Sequence, residues 1–378
     1  MQSDFERAQA RMLARIGATS AAQLDGLPHW ANPESGKWTI TPDGDWTGGA
    51  FVGELWLAHL LAPERFPVVD IHRSLYLMKP RIEKKTAFKG FGFYYGAAIG
   101  DVLVGDSEAR EIALATARSL AGMFDEKLGL IPLGLEAEEA SSVGPTESSI
   151  DSLQASGLLF WAASELADEQ MEDIAFRHTK RVLQIHVRAD GSVVQSSSLD
   201  SETGKLIRTY THKGYNDSST WGRAQGWAML YSAQASVARP SEPLWREYAS
   251  RTIDWWIDNV PADKVAFWDF SDPAIPNTSR DTAATAMAAA AMLKLDHALG
   301  GQTRYEEQAK QTVNALVDGY LTVGNDETPT GILTGGCFTR RAAARSLDVA
   351  TDVELIFGSY YLFESLAVLT GTIAANVI

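Results

Sequence analysis

Little of this chain alternates as a strand would; its apolar side chains recur at helical spacing instead. Residues 4–16 show the pattern, with Phe5, Ala8, Met12, Leu13 and Ile16 on one stripe and Gly17 as a stop. The same spacing predicts helices over 49–61, 67–80, 92–104, 106–122, 149–165, 168–187, 220–238, 242–259, 281–299, 302–320 and 353–371. Asp106 is the expected cap of the fifth. These twelve helices come in consecutive pairs with no strand between the members. A long loop with Pro28, Asn32, Pro33 and Gly36 follows the first, and residues 189–211 read as a hairpin excursion: Ser192-Val193-Val194-Gln195, then a turn at Glu202-Thr203-Gly204-Lys205. Six helical hairpins closed into a ring satisfy this order, so the expected class is all-α, a single-domain α6/α6 barrel over residues 1–378, with long loops on one face building the site. An open helical solenoid is the rival. No linker or change of composition divides the chain.

Composition removes several functions. The formal charge of -15 argues against nucleic-acid binding, although a few local cations can still serve a small acidic substrate. No apolar run approaches ~20 residues, so no membrane span is expected. The first residues lack the basic and apolar regions of a secretory signal, which makes cytoplasmic the expected location. Cys337 is the only cysteine, so no intrachain disulfide forms. The seven histidines are scattered without ligand spacing, and no metal site is expected. Gly90-Phe91-Gly92-Phe93 lacks the lysine and hydroxyl of a phosphate loop, and no Gly-x-Ser-x-Gly elbow occurs. No cofactor is expected, and no feature sets an oligomeric state. Carboxylate acid–base chemistry remains.

Four stretches carry candidate chemistry. Ser149-Ile150-Asp151-Ser152-Leu153 opens a helix, and Asp151 sits between apolar neighbours. An acid in a first turn is also a plain response to unpaired N–H groups, whereas a carboxyl near apolar walls suits a general acid. The most concentrated polar stretch runs from Thr211 to Trp227. His212 and Lys213 offer donors, Asp217, Ser218 or Ser219 a cap, Arg223 a bidentate clasp for a carboxylate or an internal ion pair, and Trp221 a ring to pack on, with Gln225 and Trp227 beyond. Asp45-Trp46-Thr47-Gly48-Gly49 and Phe267-Trp268-Asp269-Phe270 with Arg280-Asp281 repeat the pairing of an acid, a helix start and a tryptophan. Caps alone account for those acids. Eleven tryptophans serve core packing, and flat apolar rings also suit sugar faces.

These blocks resemble, in order and over nearly the whole chain, the unsaturated glucuronyl hydrolases of glycoside hydrolase family 88, and more distantly the unsaturated rhamnogalacturonyl hydrolases of family 105. The similarity rests on Asp45-Trp46-Thr47-x-Gly49 with Gly53-x-Leu55-Trp56, Ile150-Asp151-x-Leu153 with Leu158-Leu159-x-Trp161-Ala162, Thr211-His212-x-Gly214 with Ser219-Thr220-Trp221-x-Arg223-x-Gln225-x-Trp227, Trp268-Asp269-Phe270, Arg280-Asp281-x-x-Ala284 and Gly358-x-Tyr360-Tyr361. The resemblance implies an α6/α6 barrel acting on short sugars that end in a 4,5-unsaturated uronic acid. It implies Asp151 as the acid that protonates C4 and activates the water adding at C5. His212, Lys213, Arg223 and Gln225 would meet the substrate and its anion, with Trp46, Trp221 and Trp227 lining the sugar pocket. Three departures stand out. Gly90 occupies the place of a second aspartate usual in family 88, and Gln195 falls near a hairpin histidine; Lys213 also replaces a usual glutamine. Lys89 and Lys213 are the expected substitutes, holding a different anion. A barrel repurposed for another glycoside, or a non-catalytic carbohydrate-binding protein, are the alternative readings.

Overall fold

The computed structural model describes residues 3–139, 143–144, 146–325, 329–341 and 346–378. The helices that are buried over most of their length form an inner ring. They are α2 (Gly48–Leu61), α7 (Gln154–Leu166), α9 (Gly222–Ala238), α11 (Thr282–Ala298), α13 (Ile356–Leu369), and a rod made of α4 (Lys89–Phe93), a π-turn at Tyr94–Ala98 and α5 (Ile99–Val104). The sequence explains their place. Thr282 to Asp296 of α11 and Gly222 to Ser236 of α9 are buried without a break. A helix with no polar face cannot line a surface. The outer ring is α1 (Asp4–Ala21), α3 (Val68–Leu77), α6 (Ser107–Ala121), α8 (Glu169–His186), α10 (Pro243–Asn259) and α12 (Arg304–Gly319). These bury one stripe only: in α8 it is Met171, Ala175, His178, Thr179, Val182, Leu183, Ile185 and His186.

Counting the interrupted rod once gives twelve helices among the described residues, matching the sequence reading. Each inner helix packs on the next, and α13 returns to α2. That contact closes the ring and removes the open solenoid. One contiguous apolar core runs through the molecule. No helix among the described residues is long and apolar enough to cross a membrane.

Details differ from expectation. Gly17 does not stop α1, which runs on to Ala21; a side chain there would strike the Arg65 guanidinium packed over it. The loop after α1 contains β1 (Leu27–Ala31) and β2 (Trp38–Thr41), and β1 also pairs with β6 (Glu354–Leu355). The excursion after α8 is a hairpin, but its strands are β4 (Ser196–Leu199) and β5 (Leu206–Tyr210), and β3 (Ser148–Ser149) joins it. That second sheet brings Asp151 and His212 together.

Candidate active site

Asp151 lies in a 3-10 turn, Ile150–Leu153, between β3 and α7 rather than inside the α-helix. Three interactions fix this turn. Ser149 Oγ accepts from the Asp151 backbone N–H at 3.2 Å, Ser152 Oγ donates to Ser149 O, and Ile150 N–H donates to Gln195 O. Two histidines of α8 hold its flanks. His178 Nε2 is 2.9 Å from Ser152 O and its Nδ1 accepts from Ile131 N–H, while His186 meets Ser148 Oγ and Val194 O. Apolar neighbours are present as expected, since Ile150 and Leu153 are fully buried. The carboxylate itself, 4 % exposed, has polar company: Ser149 Oγ donates to Oδ2 at 2.6 Å, and Gln195 Nε2 approaches it at 3.4 Å.

The orientation of Gln195 follows from its surroundings. Its Oε1 accepts from Thr211 Oγ1 (2.8 Å), Lys213 N (3.0 Å) and His212 N (3.3 Å). The amide nitrogen must therefore face Asp151 and His212, and it is 3.3 Å from His212 Nε2. Burial pushes the His212 imidazole down to about 4, against the opposing pull of Asp151. Ser196 Oγ sits 2.9 Å from Nδ1 and a carboxylate oxygen of Glu139 2.8 Å from Nε2. A carboxylate only accepts, so Nε2 carries the proton and Nδ1 receives the Ser196 hydroxyl. Glu139 also pairs with Lys213 Nζ, and it is 5 % exposed. The sequence reading did not single out Glu139, which belongs to a polar loop.

Aromatic rings continue the cluster. Lys213 Nζ stands 5.5 Å from the Trp221 ring centroid and 5.2 Å from that of Phe338. Phe338 meets Trp46 edge-on at 6.0 Å, and Trp46 meets Trp227 at 6.2 Å. The indole nitrogens of Trp46, Trp221 and Trp227 are buried with no hydrogen-bond partner among the described residues. Five of the named side chains, Asp151, His212, Lys213, Trp221 and Trp46, therefore share one neighbourhood, with Trp227 behind Trp46. Phe338 is a further member that no sequence pattern marked.

Other expected residues sit differently. Arg223 is 1 % exposed; its NH1 donates to Asp281 Oδ2 at 2.6 Å and to Cys337 O, and its NH2 to Phe338 O. The guanidinium lies under Trp221 at 4.5 Å, so it supports the ring and the 337–338 turn, and its terminal nitrogens already hold internal acceptors. Asp281 pairs with Arg223 and caps α11, while Arg280 goes to Asp263. Gln225 sends its Nε2 to Gly191 O and Thr252 O, toward α10. Lys89 turns its Nζ to Ile82 O, Lys84 O and Ser119 Oγ and holds no anion of the site. Trp221 ends the loop before α9 rather than lying on its first turn. Asp217 accepts from Thr211 N, and Ser219 donates to Asp269, so neither caps α9.

The histidines predict an acid limit. Burial holds His178, His186 and His212 at about 4, below their ordinary 6.5. Between those values the unfolded chain binds protons that the folded chain refuses, so stability falls as pH falls through that window. The melting temperature should be flat above about pH 7 and drop steeply from roughly pH 6 toward 4. An unchanged melting temperature at pH 5 would contradict these environments.

An α/α barrel that gathers an acid, an imidazole and indoles without hydrogen-bond partners among the described residues has the form of a carbohydrate-active enzyme. No protein-family model matches the chain. Sequence comparison finds the unsaturated glucuronyl hydrolase of Bacillus sp. (strain GL1), 29% identical over 365 residues, covering 94% of this chain and 92% of the relative. An unsaturated chondroitin disaccharide hydrolase of Streptococcus pneumoniae is 28% identical over 342 residues, covering 86% and 82%. Among solved structures, a UGL variant with the saccharide dGlcA-Glc-Rha-Glc superposes with a TM-score of 0.87 at 27% identity, over 97% of this chain and 96% of that one. The unsaturated glucuronyl hydrolase of Bacillus sp. GL1 gives 0.85 at 26%, with the same coverage. Over nearly its whole length the chain is similar, in sequence and in fold, to unsaturated glucuronyl hydrolases.

Proposed function

We propose that this protein removes a 4,5-unsaturated uronic acid from the non-reducing end of short acidic saccharides by hydrating the C4=C5 bond. The observation that carries the reading is the link through Gln195, whose Nε2 faces the Asp151 carboxylate and whose Oε1 accepts from the His212 and Lys213 N–H groups, with Trp221 alongside. In this reading the Asp151 carboxyl gives its proton to C4, which leaves positive charge at C5. Water adds there and loses a proton to the carboxylate. The net change is one water across the double bond. The C5 hemiketal then opens and releases the remaining sugar. Ser149 and Gln195 keep the carboxylate aimed during both transfers. Trp221 and Trp46 offer the apolar face of the sugar a ring to rest on. The relatives' saccharides, chondroitin disaccharides and a dGlcA-ended tetrasaccharide, set the substrate class.

The test is a panel of lyase products from glycosaminoglycans, gellan, ulvan and pectin, each beside its saturated counterpart. The ultraviolet absorbance of the unsaturated sugar should decay with at least one lyase product, and saturated saccharides should remain intact. Cleavage of saturated glycosides alone would point to a repurposed barrel, and binding without product to a carbohydrate-binding protein.

A further inference from the structure

The carboxylate of Glu139 occupies an anion site built by two other residues. His212 presents an N–H to it at 2.8 Å, and Lys213 pairs with its other oxygen. All three side chains are almost wholly buried. An imidazole N–H and an ammonium facing one carboxylate, beside the Trp221 ring, form a carboxylate receptor. Its position is specific. Glu139 reaches Asp151 through only His212 and Gln195, by contacts of 2.8, 3.3 and 3.4 Å. A 4,5-unsaturated uronate carries its carboxylate on C5, adjacent to the carbon that takes the proton. An acid that protonates C4 therefore needs a carboxylate receptor within a few ångströms of itself. The His212–Lys213 pair is such a receptor among the described residues, and Arg223 is already committed to Asp281.

The geometry points to Glu139 as an internal stand-in for the substrate carboxylate: it fills the His212–Lys213 site in the free protein and yields it to the uronate. This rests on the uronyl reading above and adds where the anion binds and what it displaces. Glu139 thereby sets selectivity, because a neutral sugar cannot replace the charge that Lys213 loses when Glu139 leaves. Removing one member of a buried pair is costly unless another charge takes its place.

Glucuronate is the probe, with binding read by calorimetry so that no turnover is required. Glu139→Gln should bind glucuronate about tenfold tighter than the parent chain, since no internal carboxylate competes. Its melting temperature should be lower without ligand and rise more with glucuronate than the parent's does. Glu139→Asp, which keeps the charge, should restore parent-like affinity. Glucose binding should be the same in all three. Equal or weaker glucuronate binding by Glu139→Gln would overturn the proposal and leave Glu139 a structural partner of Lys213. Should that variant not fold, Lys213→Met decides: it should lose glucuronate binding, and parent-like affinity would reject the site. Failure of the hydration reading shows separately, as absent absorbance decay with glucuronate binding intact.

Discussion

Asp151→Asn should fold as the parent does and lose about three orders of magnitude in kcat on an unsaturated saccharide, with KM little changed. The size follows from what the substitution removes. A positioned acid or base contributes typically 10²–10⁴-fold, and here one group serves both transfers. The fold should survive because asparagine has the same shape. The hydroxyl of Ser149 can still donate to the amide oxygen, and Gln195 can still approach it. The turn itself is held from outside the side chain, by Ile150 to Gln195 O and by His178 to Ser152 O. A change of melting temperature beyond a few degrees would mean that the carboxylate was holding structure. KM should hold because the stacking rings and Lys213 are untouched, and loss of an interaction made only in the transition state lowers kcat. Stopped-assay rates with the purified variant, beside its circular dichroism melt, decide the matter. Retention of more than about a tenth of the parent kcat would remove Asp151 from the chemistry.

How much of this was legible beforehand depends on the range of the interaction. The ring of twelve helices was legible because each helix writes its own period, and all-round burial in α9 and α11 is visible as a predominance of apolar and small residues. The β1–β2–β6 sheet was not, since its strands are short, interrupted by Pro28, and paired with residues more than three hundred positions away. The site divides the same way. Asp151, Trp221, His212 and Lys213 announce themselves by local chemistry. Gln225 was drawn in by its neighbours, yet helical geometry argues against it: at 100° per residue it points roughly opposite to Arg223, while Trp227 returns to the Arg223 side. Arg223 left a clasp or an internal pair open, and only the position of Asp281, 58 residues on, selected the pair. Glu139 had no local signal at all. It lies in an aperiodic acidic loop, and its partners His212 and Lys213 are 73 and 74 residues away along the chain.

Gly90→Asp, which restores the aspartate that the family pattern carries at this position, should destabilise the protein severely and add no activity. The reason is steric before it is chemical. A Cβ on residue 90 would lie 2.5 Å from both Ala155 Cα and Gln154 O, in the backbone of α7. Backbone atoms of a buried inner helix cannot swing aside as a side chain end can, so α4 and α7 would have to separate. Overpacking alone costs about 1–3 kcal/mol, and a carboxylate forced into this seam adds an unpaired buried charge. The expected loss is therefore several kcal/mol, read as a melting temperature lowered by roughly 5–10 °C or as insoluble protein. Gly90→Ala separates the two causes. It should show the overpacking part of the loss, and Gly90→Asp more. The α7 contact also bears on the chemistry, because Gln154 follows the turn that holds Asp151. Spreading α4 from α7 pulls on that turn, so the residual soluble fraction of Gly90→Asp should be slower than the parent, not faster. A stable Gly90→Asp protein with raised kcat would show instead that the two helices can part cheaply and that the missing aspartate was limiting the rate.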